Sequence, residues 1–549
     1  MSTEVPSNID LLIAGGGSAG AALAGIVARD TNLNVLLLEA GPDYGPYAAG
    51  RWPADLLDAL RFPQTHDWGY SGLNRPGHRE RSPYDRARVL GGCSSHNGCV
   101  EVIGHRRDYD GWAELGNPGW AWDDVAPAWE RAKQALRIRI PDDDELTPFH
   151  RAFMEGAVAA GIPRVHDLDD PDDVSATGIS PVNIIDGVRW NTAFAYIDPV
   201  REKGNLTILA NALVDRVVIE DGRAIAVIAR IGEETQRIEA GRIVLSAGAY
   251  GSPAILMRSG IGDPDDLNQV GVAPRHELPG VGKALTDHPL TSIELRPTDK
   301  LAKEMARFSS DGWTPDEQTI LKTRSPRCTE AFDLHLYGIL RPDPAAESGW
   351  HYAIPSSTVA VRSSGAVRIT SSDPEAPLFI DHGYFTDPGD IDRAVLVDGL
   401  ELAREIAANL ERAGLIRGEI RPGPAAKSRA QLEQFAEDTV RINYHPACSC
   451  RMGPLTADAS AVVDADGNPR PRGPHTCDVS ISPTLCAPIP TSRAVMGSAS
   501  IWQSASGRCK IEAQPGDLLD RLEIILSFPR DGRLLRHRRD GAQPLSAYA

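Results

Sequence analysis

The sequence predicts an α/β fold that opens on a Rossmann-like βαβ unit. Three features carry that reading: an apolar run ending in glycines, an alanine-rich stretch directly behind it, and a second apolar run closed by an acid. Ile9 to Ala14 is largely apolar without helical periodicity, as expected of a parallel strand covered on both faces. Gly15, Gly17 and Gly20 follow in G-x-G-x-x-G spacing around Ser18, and AALAGIVARD continues as a helix. Asn34 to Leu38 forms the second strand and ends at Glu39. In such a unit the first glycine permits the tight turn, the second lets backbone approach a pyrophosphate, and the third lets helix and strand pack closely. The helix N-terminus turns unpaired N–H groups and a positive dipole end toward the anion. Glu39 is placed to accept hydrogen bonds from an adenosine ribose. By itself the unit is compatible with NAD or FAD.

The chain has 549 residues, 42% apolar and 24% charged, which excludes a disordered or fibrous protein and leaves room for a large core. Acidic residues outnumber basic ones by 75 to 57, and the net charge of −18 argues against nucleic acid as a partner. No apolar run approaches the ~18 residues of a membrane span. The start, MSTEVPSNID, has no basic-then-apolar leader, so a cytoplasmic location is expected. The 8 cysteines have no paired zinc spacing and are expected to be reduced thiols. The acid runs 142–145 and 167–173 read as solvated loops, and no metal site is expected.

Residues 86 to 104, RARVLGGCSSHNGCVEVIG, resemble the glucose-methanol-choline (GMC) flavoprotein oxidoreductases, whose V-L-G-G-x-S-S-x-N-G segment wraps FAD. That resemblance implies FAD contacts from Arg88, Gly91, Gly92, Ser95, Asn97 and Gly98. The GGCSSHN variant is similar to choline oxidase-like members with histidyl-linked flavin, which implies covalent attachment at His96. A neutral imidazole is a nucleophile near neutral pH. The resemblance extends from about residue 8 to about residue 484. It includes IVLSAGAYGSPAILMRSGIG (243–262), read as a strand, a turn and a helix beginning after Ser252-Pro253. It also includes ELPGVGKALTDHP (277–289) and SSGAVRITSSDPEAPLFIDHGYF (363–385).

Matching and local pattern together imply a discontinuous Rossmann-like FAD-binding domain (1–155, 206–295, 440–510). An α+β substrate-binding cap on an antiparallel sheet (156–205, 296–439) and an atypical tail (511–549) complete the chain. Val214 to Ile219 and Ala224 to Ile228 flank Glu220-Asp221-Gly222, a hairpin signal.

NYHPACSCRMG (443–453) resembles the family's H-P-x-x-x-C-R-M-G motif, which implies that His445 accepts the alcohol proton while hydride leaves for flavin N5. An imidazole with an unperturbed pKa ~6.5 suits that exchange. Asp478 lies where relatives bring an aspartate toward the ribityl chain. About eleven residues further on, relatives carry a second histidine or an asparagine, whereas this chain has Ile489 in a segment broken by Pro488 and Pro490. Either another donor serves there, or the reading frame slips near residue 485 and leaves an arginine-rich tail. The resemblance thus implies FAD-dependent oxidation of a small primary alcohol, with O2 or another electron acceptor as second partner. Two rival readings are an NAD-dependent dehydrogenase and a flavin-binding protein whose altered tail impairs turnover. For a cationic substrate the nearest cap acids are Glu330 and Asp333, with Arg324 and Arg327 beside them opposing it.

Overall fold

The computed structural model describes residues 5–311, 317–455, 458–469 and 474–485. Ile489, the segment beyond the frame slip expected near residue 485 and the tail 511–549 lie outside the described residues. β1 (Leu11–Ala14), α1 (Ser18–Asp30) and β2 (Val35–Glu39) form the expected opening unit. Both strands are buried along their length, which explains their unbroken apolar letters. α1 buries every residue from Ala19 to Ala28 and can do so because small side chains let it lie close to the sheet. It ends where Thr31 donates both its N–H and its hydroxyl to the carbonyl of Val27. The parallel sheet has five strands in the order His475–Thr476, Arg242–Leu245, β1, β2, Leu206–Ala210. The hairpin signal at 220–222 corresponds to antiparallel strands Ala212–Glu220 and Arg223–Ile231, joined by a third, Glu234–Glu239.

A second sheet is antiparallel throughout and has eight strands. Its backbone order is Ile416–Arg421, Pro289–Pro297, Trp350–Thr358, Leu334–Tyr337, Thr319–Thr323, Ala176–Ile179. Ile339–Pro342 and Arg441–Ile442 pair at its side. Helices Pro148–Ala159 and Ile391–Arg412 share an apolar cluster with this sheet, through Phe149, Phe153, Ile354, Leu400 and Ile406 among others. This is the α/β-plus-antiparallel architecture expected of the fold.

Packing moves several expected boundaries. The divisions at 155/156 and 295/296 fall inside the helix Pro148–Ala159 and the strand Pro289–Pro297. Ala193, Phe194, Ile197 and Val200, expected in the cap, instead pack in the cluster of α1 and β2. Segment 363–385 likewise joins the nucleotide-side core, because Val367, Ile369, Leu378 and Ile380 share a cluster with Ile255, Leu256 and Met257.

The helix expected to begin after Pro253 runs from Gly248 to Arg258, with Pro253 in its interior. A proline there leaves the carbonyl four residues earlier without its helical donor. The Ser449 hydroxyl fills that place, donating to the Ala249 carbonyl at 2.6 Å in a buried bond. The acid run 167–173 is also less solvated than expected. The Asp169 carboxylate is buried and accepts the Ile103 N–H, while the buried Lys322 ammonium donates to the carbonyls of Leu168 and Asp170.

Candidate functional site

A cavity of about 830 Å³ runs from the end of β1 to the antiparallel sheet. Of the residues singled out in the sequence, Gly15, Gly17, Ser18, Glu39 and Arg88 line its nucleotide end. Gly92, His96, Asn97, Gly98, Asp478 and His445 line the rest. Gly20, Gly91 and Ser95 stand behind the wall and shape it. A side chain at Gly20 would overlap the Gly15 carbonyl, and one at Gly91 would overlap the Ser95 hydroxyl, which itself donates to the Leu90 carbonyl.

The three opening glycines divide their tasks. Gly15 has φ +107°, and a Cβ there would strike the Ser246 carbonyl. Gly17 is extended (φ −70°), and the nearest atom to a Cβ there would be Gly92 Cα at 3.8 Å, so the protein leaves open space at this glycine. That open cradle at a helix N-terminus, on the cavity wall, is what a pyrophosphate needs, and the residues present fit FAD. The second glycine cluster is bound to the first by the Gly91 N–H donating to the Gly16 carbonyl at 2.8 Å.

Glu39 has both carboxylate oxygens engaged, by the N–H groups of Gly16 (2.8 Å) and Gly41 (2.7 Å). Burial pushes its pKa up to about 7 against those bonds. Asp478 accepts the N–H of Gly248 at 2.9 Å, the Ser252 hydroxyl at 2.5 Å and the Ser480 N–H at 2.8 Å. It therefore places a negative charge at the start of the helix Gly248–Arg258. His96 is half-buried, and its Nε2 lies 3.0 Å from the Thr65 carbonyl, so Nε2 carries the proton. Desolvation holds its pKa below the ordinary histidine value.

At the far end, His445 Nδ1 lies 2.9 Å from Nδ1 of His288, with the two rings edge to face. The fully buried Asp287 accepts both backbone N–H groups, from His445 at 2.9 Å and from His288 at 2.7 Å, through one oxygen. Burial raises the Asp287 pKa to about 7. These three side chains bring their donor atoms within 4.8 Å of one another. The 2.9 Å between the ring nitrogens is nonetheless shorter than the roughly 3.3 Å that two nitrogens keep across a tetrahedral zinc, and it suits a shared proton. Sequence reasoning quoted the segment holding Asp287 and His288 but gave neither residue a role. Its signal was the pair itself, two polar letters directly before an apolar strand.

The antiparallel sheet contributes His335, Tyr337, Ile339 and Arg341 to the cavity. His335 Nε2 is buried without a hydrogen-bond partner, and burial pushes its pKa down to about 4, so the ring is neutral. Guanidinium groups lie over two rings on the wall, Arg341 5.3 Å from the Phe62 centroid and Arg86 5.8 Å from the Tyr444 centroid, and the acids Glu317 and Asp85 line the same cavity. Neither Glu330 nor Asp333 lines the cavity, and Asp333 accepts both the N–H and the hydroxyl of Ser325. Arg327 is paired with Asp398 at 2.7 Å.

Two family models described as GMC oxidoreductase match the chain, over residues 9–290 and 361–497. An oxygen-dependent choline dehydrogenase of Rhizobium etli is 30% identical over 496 residues, covering 83% of this chain and 87% of that protein. The choline oxidase of Arthrobacter globiformis is 29% identical over 475 residues, covering 82% and 86%. Among solved structures, pyridoxine 4-oxidase from Mesorbium loti superposes with a TM-score of 0.79 at 27% identity, covering 90% of this chain and 99% of that one. Formate oxidase superposes with a TM-score of 0.80 at 20% identity, which speaks to the fold.

Proposed function

The chain belongs to the GMC oxidoreductase family, and from that premise we propose that it oxidises a neutral primary alcohol to an aldehyde with FAD as cofactor and His445 as proton acceptor. The observation that carries this is the single cavity that joins the glycine cradle at Gly17 to the imidazole of His445. When bound, FAD supplies the acceptor for the hydride that leaves the alcohol carbon. The protein's part is to hold the hydroxyl and take its proton. A positioned imidazole contributes on the order of 10²–10⁴ in rate. Gly15, Gly17, Ser18, Glu39 and Arg88 would hold the nucleotide half, and Gly92, His96, Asn97 and Gly98 with Asp478 the flavin half, with Gly91 and Ser95 shaping the wall from behind. We further propose attachment of the flavin to His96, whose neutral ring on the cavity wall retains nucleophilic character.

A quaternary ammonium substrate needs open aromatic faces or an acid. Arginines sit over Phe62 and Tyr444, which supports a neutral substrate over the choline named for several relatives, whereas Glu317 and Asp85 on the same wall would suit a cation, and the choice of alcohols below decides between the two. Among the described residues no helix is long and apolar enough to cross a membrane. Cys93, Cys99, Cys328 and Cys450 are thiols, which supports a cytoplasmic location.

The test is anaerobic mixing of the purified yellow protein with benzyl alcohol, pyridoxine and choline, following flavin bleaching, with His445→Asn in parallel. Bleaching by an uncharged alcohol, slowed at least 100-fold by H445N, is expected. Bleaching by choline alone would overturn the substrate reading, and an unslowed variant the assignment of His445. Flavin that none of the three alcohols reduces would favour a non-catalytic flavin protein.

A further inference from the structure

His288 lies in the segment 277–289 quoted above, which gave it no role, yet it is fully buried and its Nδ1 faces the Nδ1 of His445 at 2.9 Å. Two ring nitrogens at that distance share one hydrogen, because two lone pairs or two N–H groups would repel. We propose that His288 is a positioning residue that fixes the tautomer of His445: His445 keeps its proton on Nδ1, donates it to His288 Nδ1, and so presents a bare Nε2 to the alcohol. This rests on the reading of His445 as the base.

The proton count follows. A neutral base that accepts at Nε2 must carry its own hydrogen on Nδ1, and that hydrogen needs an acceptor. His288 supplies one only as its Nε2–H tautomer. When the substrate O–H bond breaks and Nε2–H forms on His445, the new imidazolium keeps its Nδ1–H donated to a neutral imidazole, a charge-assisted bond. The backbone is held at the same time, since Asp287 accepts the N–H groups of both histidines. The ionisable groups around Asp287 are Arg86, Tyr84, Tyr250 and Tyr384, and Arg86 also donates to the Tyr444 carbonyl at 2.9 Å.

The decisive experiment is nitrogen NMR of flavin-loaded protein labelled with ¹⁵N in its histidine rings, with the His445 signals identified by their loss in His445→Asn. At pH 8 wild type is expected to show Nδ1 protonated and Nε2 bare. His288→Asn, whose side-chain oxygen can stand where Nδ1 stood, keeps that pattern. His288→Leu loses it, and the pH midpoint of the His445 signals falls by about one unit, as expected for loss of one charge-assisted acceptor. Wild-type His445 protonated at Nε2, or an H288L spectrum and midpoint equal to wild type, overturns the proposal. Should H288L fail to bind flavin, the wild-type spectrum alone decides. The base assignment fails separately, when H445N reduces its flavin at the wild-type rate.

Discussion

Gly17→Ala separates cofactor binding from folding. The backbone at Gly17 (φ −70°, ψ −165°) is open to any residue, and the nearest atom to the added methyl is Gly92 Cα at 3.8 Å. Trading glycine for alanine at an allowed conformation stabilises by about 0.4–1 kcal/mol through the unfolded chain. Loss of glycine at a helix N-cap works against this, so the apoprotein is expected to change by under ~1 kcal/mol. On the proposed reading, bound FAD would meet the same methyl where its pyrophosphate would approach the backbone. Losing one charge-assisted hydrogen bond there costs about 1.5–3 kcal/mol, a weakening of FAD binding by roughly 10- to 150-fold. At Gly20 the added methyl collides with the Gly15 carbonyl, so G20A costs on the order of 1–3 kcal/mol in stability as well. Flavin-to-protein ratio after purification, FAD titration of apoprotein and urea melts of both variants provide the assay. A G17A protein that retains wild-type flavin affinity, or that unfolds like G20A, would refute the division of labour among the glycines.

Ser449→Ala removes the donor to the Ala249 carbonyl and should destabilise by about 1–3 kcal/mol in chemical denaturation, whereas the same change at an exposed serine should be silent. Asp287 has its pKa raised to about 7, so the folded state binds its proton more tightly than the unfolded chain does. Its contribution is therefore most favourable below about pH 4 and declines as pH rises to 7, by up to about 4 kcal/mol for three units. Melting wild type and Asp287→Asn across pH 4 to 8 should show the asparagine gaining on the aspartate as pH rises, and a constant gap would disprove it. Acid precipitation followed by peptide mass measurement should find flavin on the His96 peptide and none in His96→Ala. His335→Ala, which removes a buried ring nitrogen without a partner from the cavity wall, should raise KM for the best alcohol severalfold with a smaller change in kcat.

The nucleotide end was legible because its physics is local. Glycine spacing, an apolar run and a terminal acid are all set within 31 residues of sequence, and the backbone turns they dictate are those observed from Leu11 to Glu39. The His445 end was legible only in part. His445 came from a motif, but its partner His288 is 157 residues away, and nothing in either neighbourhood announces the other. Pro253 shows the same limit. Its letters suggest a helix start, and only a serine 200 residues beyond Ala249 makes an interior proline tolerable there. The antiparallel sheet gathers strands from 176 to 442, so residues near any single boundary pack with partners that local pattern does not reveal.

How His445 is aimed follows from the turn that carries it. Tyr444, directly before it, has φ +61°, a left-handed conformation unfavourable for a large aromatic residue. A cost of order 1–3 kcal/mol persists only where the surroundings over-determine the geometry. Here they do so from three directions. Arg86 donates to the Tyr444 carbonyl while its guanidinium sits over the Tyr444 ring, Asp287 takes the His445 N–H, and His288 meets the His445 ring. Each contact grips a different atom of the same two residues, so the imidazole is held both through its backbone and through its ring. Arg86 thereby holds the strained turn at both its carbonyl and its ring.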